Sequence, residues 1–234
     1  MMGKAEIGKI FGIPIVLDAT FILLVVLYGF HYFTSANITS ISYGIVLVAG
    51  LALSILLHEL GHAFAGRYWG VPTAYVELNG LGGLCHFARA MPQSRIANIT
   101  MLLAGPAANL VLWFLFDALG NVLLEQSEGG GAGNGRTASL LFQLASVNSM
   151  LFFFNLLPAH PLDGGRTLVQ IVSKAIGYDR AMRVVAYMGL LIALWLCFLA
   201  LGGQSFALLI AFVLFQTNME ILQTHGGPRW KRWN

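Results

Sequence analysis

Six stretches of this 234-residue chain, near 13–33, 44–66, 96–124, 137–157, 184–201 and 205–222, are long and apolar enough to cross a bilayer. No other feature constrains the fold as tightly. Hydrocarbon offers no partner to a peptide N–H or C=O, so a spanning segment satisfies its own backbone as a helix or joins a closed barrel. A spanning helix takes roughly 20 apolar residues and a spanning strand about half that, and these runs have the helical length. The chain is 57% hydrophobic and 10% charged, whereas a soluble domain carries about 25% charged residues. The expected architecture is an all-α polytopic membrane protein of about six transmembrane helices, a single domain over 1–234. No clear small-residue cleavage site follows the first run before further spans begin, so it reads as a retained helix rather than a signal peptide.

Charge placement orients the chain. With the N-terminus cytoplasmic and the spans alternating, Lys4, Lys9, Arg67, Arg89, Arg95, Arg166, Lys174, Arg180, Arg183, Arg229, Lys231 and Arg232 fall inside and Arg136 alone outside. This asymmetry follows the positive-inside rule and puts both termini in the cytoplasm. The basic tail at 226–234, with Trp230 and Trp233, suits a membrane-interface anchor and equally a solvated basic tail, and nothing points to nucleic acid. The outer loop at 125–136 is glycine-rich and reads as a flexible tether. Cys85 and Cys197 are far apart, with Cys197 inside a span, which argues for two small apolar fillers and against a disulfide framework.

Inside the second apolar run stands S-I-L-L-H-E-L-G-H-A-F-A-G, 54–66. An ionisable group kept in a span is costly and marks a functional site by default. His58 and His62 lie one helical turn apart on one face, close enough for both imidazoles to bind one ion, and Glu59 can reach a water in the ion's open position. H-E-x-x-H on a helix reads as two zinc ligands and a general base. The bland alternative is a polar cluster joining helices by hydrogen bonds. A catalytic zinc takes about three protein ligands and a water, so a further ligand is needed from His31, His86, His160, His225, Asp18, Glu77, Asp117, Asp163 and Glu220. The second and fourth spans both run from outside to inside, and N-L-L-P-A-H-P-L-D-G-G-R at 155–166 puts Asp163 at the matching depth. Asp18 and Asp117 lie at unsuitable depths, while His160 is the rival to Asp163. Asn155 has an amide donor at a depth where it could contact substrate backbone or an oxyanion, or merely cap its helix.

H-E-L-G-H at 58–62, together with N-L-L-P-A-H-P-L-D-G at 155–164, resembles the paired motifs of the site-2 proteases, the intramembrane zinc metalloproteases of peptidase family M50. G-K-I-F-G-I-P-I-V-L-D-A-T-F at 8–21 and A-G-P-A-A-N-L-V-L at 104–112 also look like segments of that family, so the resemblance extends over nearly the whole chain. It implies that His58, His62 and Asp163 hold one Zn2+ per chain, that Glu59 is the catalytic base, and that Asn155 orients substrate. Asn109, in G-P-A-A-N, falls on a further motif position, where helix packing by Gly105 and Ala108 is the expected role. The implied activity is a zinc metalloendopeptidase that cuts within or next to transmembrane helices of client membrane proteins, in regulated intramembrane proteolysis. The chain has no room for the PDZ or CBS domains of many relatives and resembles a compact form, expected in a prokaryotic plasma membrane. Its partners would be client transmembrane segments and the lipid bilayer.

A client helix must unwind before its peptide bonds open to attack. A-Y-V-E-L-N-G-L-G-G-L-C-H-F, 74–87, is too short to span, broken by glycines, and strand-like over 75–78. It reads as a short re-entrant β-hairpin-like segment that offers an edge to the client by strand addition, the alternative being a cytoplasmic loop with no substrate role, and Glu77 and His86 are assigned outside the zinc site. Three other functions compete. A zinc transporter would want ionisable residues along a path through the bilayer, whereas these gather toward one side. An inactive client-binding relative would be expected to lack a ligand or the base. A membrane protease that trims lipidated C-termini would use a distal Glu where this chain has the Asp of L-D-G.

Overall fold

The structure, a computed structural model, describes residues 3–34, 37–128, 132–202 and 206–226. In chain order its elements are β1 (Lys4–Ile10), β2 (Ile13–Asp18), α1 (Phe21–Phe33), α2 (Ile38–Tyr68), β3 (Thr73–Asn79), β4 (Gly82–Phe87), α3 (Arg95–Glu128), α4 (Ala132–Asn155), α5 (Asp163–Ile176), α6 (Tyr178–Leu201) and α7 (Phe206–Gly226). The chain divides into two units, one of Met1–Pro92 and Ala104–Phe152, the other of Gln93–Leu103 and Phe153–Asn234.

In the first unit, Ile10 pairs with Ile13, leaving a two-residue turn of Phe11 and Gly12 at φ 50° and 81°. Both values suit the turn geometry whose twist matches a hairpin. β2 then pairs parallel with β3, and β3 antiparallel with β4, so the sheet order is β1-β2-β3-β4 and β4 is an edge. Alternation in β2 and β3 buries Ile13, Ile15, Val76 and Leu78 against Leu51, Ile55, Leu60 and Ala63 of α2. The sheet is thus seated on the stretch of α2 that carries the histidines. Asn37 starts α2 by accepting from the Thr39 N–H at 2.9 Å.

In the second unit, α5 begins at Asp163, whose carboxylate suits the positive end of a helix. It ends at Gly177, whose φ of 83° breaks the helical run before α6. α6 and α7 share a core of Ala193, Leu196, Ala207, Ala211 and Leu214, which Ala159 joins from the loop after α4.

Five described helices are long and apolar enough to span: Ile38–Tyr68, Arg95–Gln126, Asn134–Asn155, Tyr178–Leu201 and Ala207–His225. The chain is an integral membrane protein. The run expected as a first span near 13–33 is not one helix. Its first six residues form β2, and α1, with 13 residues, extends only about 20 Å against a hydrocarbon core of about 30 Å. An apolar run does not distinguish a buried strand from a helix, and here Ile13, Ile15 and Leu17 belong to the sheet. The strand-like reading of 74–87 corresponds to β3 and β4, but β1 and β2 enlarge that hairpin into a four-stranded sheet. Of the supposed tether at 125–136, α3 takes the part up to Glu128 and α4 the part from Ala132, while 129–131 lie outside the described residues, as does nearly all of the 226–234 tail. α5 is an amphipathic helix of 14 residues that hydropathy alone does not announce.

Candidate active site

His58, Glu59 and His62 sit on α2 in the first unit, 5%, 6% and 7% exposed. One helical turn aligns the two imidazoles, and their Nε2 atoms approach to 3.1 Å. A glycine of α3 faces them. A Cβ on Gly105 would overlap the His62 ring and lie 2.6 Å from His58 Nε2, while a Cβ on Gly61 would lie 2.5 Å from the Ala104 carbonyl oxygen. The two helices therefore touch through glycines at the histidine pair. The residues fit a zinc ion: two imidazole nitrogens converge on a space that any side chain at 105 would fill, and zinc takes nitrogen donors readily.

Behind His58 lies a buried polar chain. Asn109 Oδ1 is 2.5 Å from His58 Nδ1, Asn109 Nδ2 donates to Asn148 Oδ1 at 2.9 Å, and Asn148 Nδ2 donates to Ser54 Oγ at 2.9 Å. Asn109 and Asn148 are fully buried. Asn109 thus touches a candidate ligand directly, a role beyond the helix packing expected of its motif. Gly105, one turn earlier on the same face, clears the imidazoles rather than serving helix contact alone. Neither Ser54 nor Asn148 is distinguished by any motif. The signal that could have found them is a polar side chain in an otherwise apolar span, which needs a buried partner.

Glu59 points toward the sheet. A Cβ on Gly83 of β4 would lie 2.7 Å from Glu59 Oε1, so the absence of a side chain there lets the carboxylate lie against an edge strand. Glu77 and His86 are occupied on the sheet. Lys4 Nζ donates to Glu77 Oε2 at 2.6 Å, His86 Nε2 lies 3.3 Å from the same oxygen, and Tyr75 stacks on the His86 ring. The Glu77 carboxylate beside it holds the Lys4 ammonium above its ordinary pKa.

The second unit holds Asn155 at the end of α4, His160 in the following loop and Asp163 opening α5. Asp163 is buried, at 7% exposure. The two glycines after it allow a close approach of backbones: a Cβ on Gly164 would lie 2.7 Å from Leu156 Cα, and one on Gly165 2.9 Å from the Ala159 nitrogen. Asn218 of α7 grips this loop at both ends of one residue, accepting from the His160 N–H at 3.3 Å and donating to its carbonyl at 2.8 Å. Burial, with the Arg166 charge second, lowers the His160 imidazole to about 4. Other candidate ligands have duties elsewhere. Asp18 accepts from the Thr20 hydroxyl and N–H, which lower its pKa. Asp117 accepts from the Asn121 side chain, and His225 lies 2.9 Å from Asp179 Oδ1.

The family model described as Peptidase family M50 matches residues 46–128 and 126–196. A zinc metalloprotease of Methanocaldococcus jannaschii is 33% identical over 215 residues, which cover 91% of this chain and 59% of the relative. Stage IV sporulation protein FB of Bacillus subtilis is 27% identical over 180 residues, covering 75% of this chain and 58% of that protein. The chain thus spans less than two thirds of the length of these curated relatives. Among solved structures, the site-2 protease from Methanocaldococcus jannaschii superposes with a TM-score of 0.63 at 30% identity, covering 93% of this chain and 94% of that one.

Proposed function

This chain belongs to peptidase family M50, and from that premise we propose that it is a zinc-dependent intramembrane endopeptidase, hydrolysing peptide bonds within or next to transmembrane helices of client membrane proteins. One observation carries the reading: His58 and His62 converge on Gly105 with Glu59 beside them on the same buried turn of a membrane-spanning helix. Such an arrangement serves metal-assisted hydrolysis and has no packing rationale.

His58 and His62 are two ligands and Asp163 is the third. The motif L-D-G, the burial of Asp163 and the other duties of Asp18, Asp117, Glu77 and His225 support that choice. Held by these residues, a zinc ion would supply Lewis acidity at the scissile carbonyl and lower the pKa of a bound water toward neutrality. Glu59 takes the proton of the attacking water and passes it to the departing amine. Asn155 orients the substrate backbone through its amide. The client, unwound from its helix, adds as a strand to β4, the edge against which Glu59 lies. With both termini in the cytoplasm of a prokaryotic cell, water reaches the site from the inner face of the plasma membrane.

The test compares wild type with Glu59→Gln in lipid vesicles, for zinc content and for cleavage of single-span reporter proteins. Both are expected to hold about one zinc, and wild type alone to cut. If both hold zinc and neither cuts across a broad panel, the protein binds client helices without hydrolysis. If neither holds zinc, the metal centre is refuted.

A further inference from the structure

An Asn side chain can meet a neighbour with its oxygen or its NH2 group, and the surrounding network decides which. Around His58 the decision is made by backbone carbonyls, which only accept. Leu144 O faces Asn148, so Asn148 presents its NH2 there, at 2.8 Å. The same NH2 reaches Ser54 Oγ at 2.9 Å, and that hydroxyl is itself spent as a donor to Gly50 O at 2.8 Å. With its NH2 committed, Asn148 turns its Oδ1 to Asn109 and accepts from Asn109 Nδ2 at 2.9 Å. Asn109 Oδ1 is then left facing His58 Nδ1, where only an N–H can satisfy it. The proton of a neutral His58 is thereby placed on Nδ1, and the lone pair on Nε2, the atom that faces His62 Nε2.

We propose that Asn109 and Asn148 are positioning residues: a one-way amide relay, anchored on the backbone carbonyls of Leu144 and Gly50, holds His58 in the single tautomer that can ligate a metal through Nε2. The relay rests on the reading of His58 as a ligand. It explains why two fully buried amides stand in apolar spans, where each unpaired N–H or oxygen would be costly. Orienting a ligand imidazole through its other nitrogen typically contributes a factor of about 10 to 100 in metal affinity. Simple helix-joining hydrogen bonds would stabilise the fold without caring which His58 nitrogen carries the proton.

The test reads the tautomer directly. Full-length protein with 15N-labelled histidine is stripped of metal in detergent at mildly alkaline pH, and the His58 ring nitrogens are assigned by their loss in His58→Gln. Wild type should give the Nδ1–H form. Asn109→Leu, which cannot accept, should give a mixture of tautomers and bind Zn2+ about 10 to 100 times more weakly in competition with a chelator. Asn109→Asp, which still accepts, should restore the Nδ1–H form. Asn148→Ala, which never touches the ring, should also let the second tautomer appear, and keeps the question answerable if Asn109→Leu fails to fold. A pure Nδ1–H form in Asn109→Leu or Asn148→Ala overturns the relay. If the tautomer responds as expected but wild type binds no zinc, the relay stands and the metal reading is what fails.

Discussion

At the scale of single residues, the site is made as much by what is missing as by what is present. Gly105 shows this most directly. A glycine inside a helix is normally less stable than alanine by about 1 kcal/mol, so Gly105→Ala would ordinarily be a gain. Here the added methyl overlaps His62 and crowds His58 Nε2. Overpacking costs about 1 to 3 kcal/mol and displaces both imidazoles, so the overlap outweighs the helical gain. Gly105→Ala is expected to lower the melting temperature in detergent and to weaken zinc binding at least tenfold by chelator competition; an unaltered affinity would show that the methyl is accommodated elsewhere. His58, Glu59 and His62 were legible in the sequence because H-E-x-x-H carries its own geometry: one turn of helix aligns the rings wherever the helix lies. Asn148 and Ser54 were not legible, because their role depends on which spans are neighbours, and spacing within one helix says nothing of that.

Among the elements, the loop from α4 to α5 depends on a helix far along the chain. Asn218 of α7 holds the backbone of His160, whose ring is buried with no hydrogen-bond partner for Nε2 among the described residues. The folded state keeps this imidazole neutral down to about pH 4, against an ordinary pKa of 6.5. The sign follows from linkage. Between these values the unfolded chain binds the proton and the folded chain does not, so the contribution is intact above pH 6.5 and is lost as pH falls toward 4. The loss amounts to about 3 kcal/mol at most. Metal-free wild type, melted in detergent at pH 7.5, 5 and 4, should lose stability through this window, and His160→Phe should lose correspondingly less. Parallel acid profiles for the two proteins would assign the loss to other groups. Elements also mark where hydropathy misleads. The run near 13–33 contains β2 and a short α1 because Ile13 and Ile15 are buried through strand alternation against α2, a partner that the local sequence does not name.

For the whole molecule, the distribution of basic residues predicts an orientation that labelling can test. With Cys85 and Cys197 replaced by alanine, Arg136→Cys should react with a membrane-impermeant maleimide added to intact cells, and Lys9→Cys only after the membrane is opened. The reverse pattern would invert the topology. By itself the sequence determined that the chain lives in a bilayer, that its spans are helices, and that one turn of one span carries two imidazoles and a carboxylate. Those conclusions need only transfer energetics and the 3.6-residue period, both of which act locally along the chain. The tertiary structure decided that the N-terminal strands join the 74–87 hairpin in one sheet, that a glycine of β4 lies against Glu59, and that the amides of α3 and α4 stand behind His58. Each of these depends on contacts between segments distant in sequence, where packing and the pairing of buried polar groups select one partner among many.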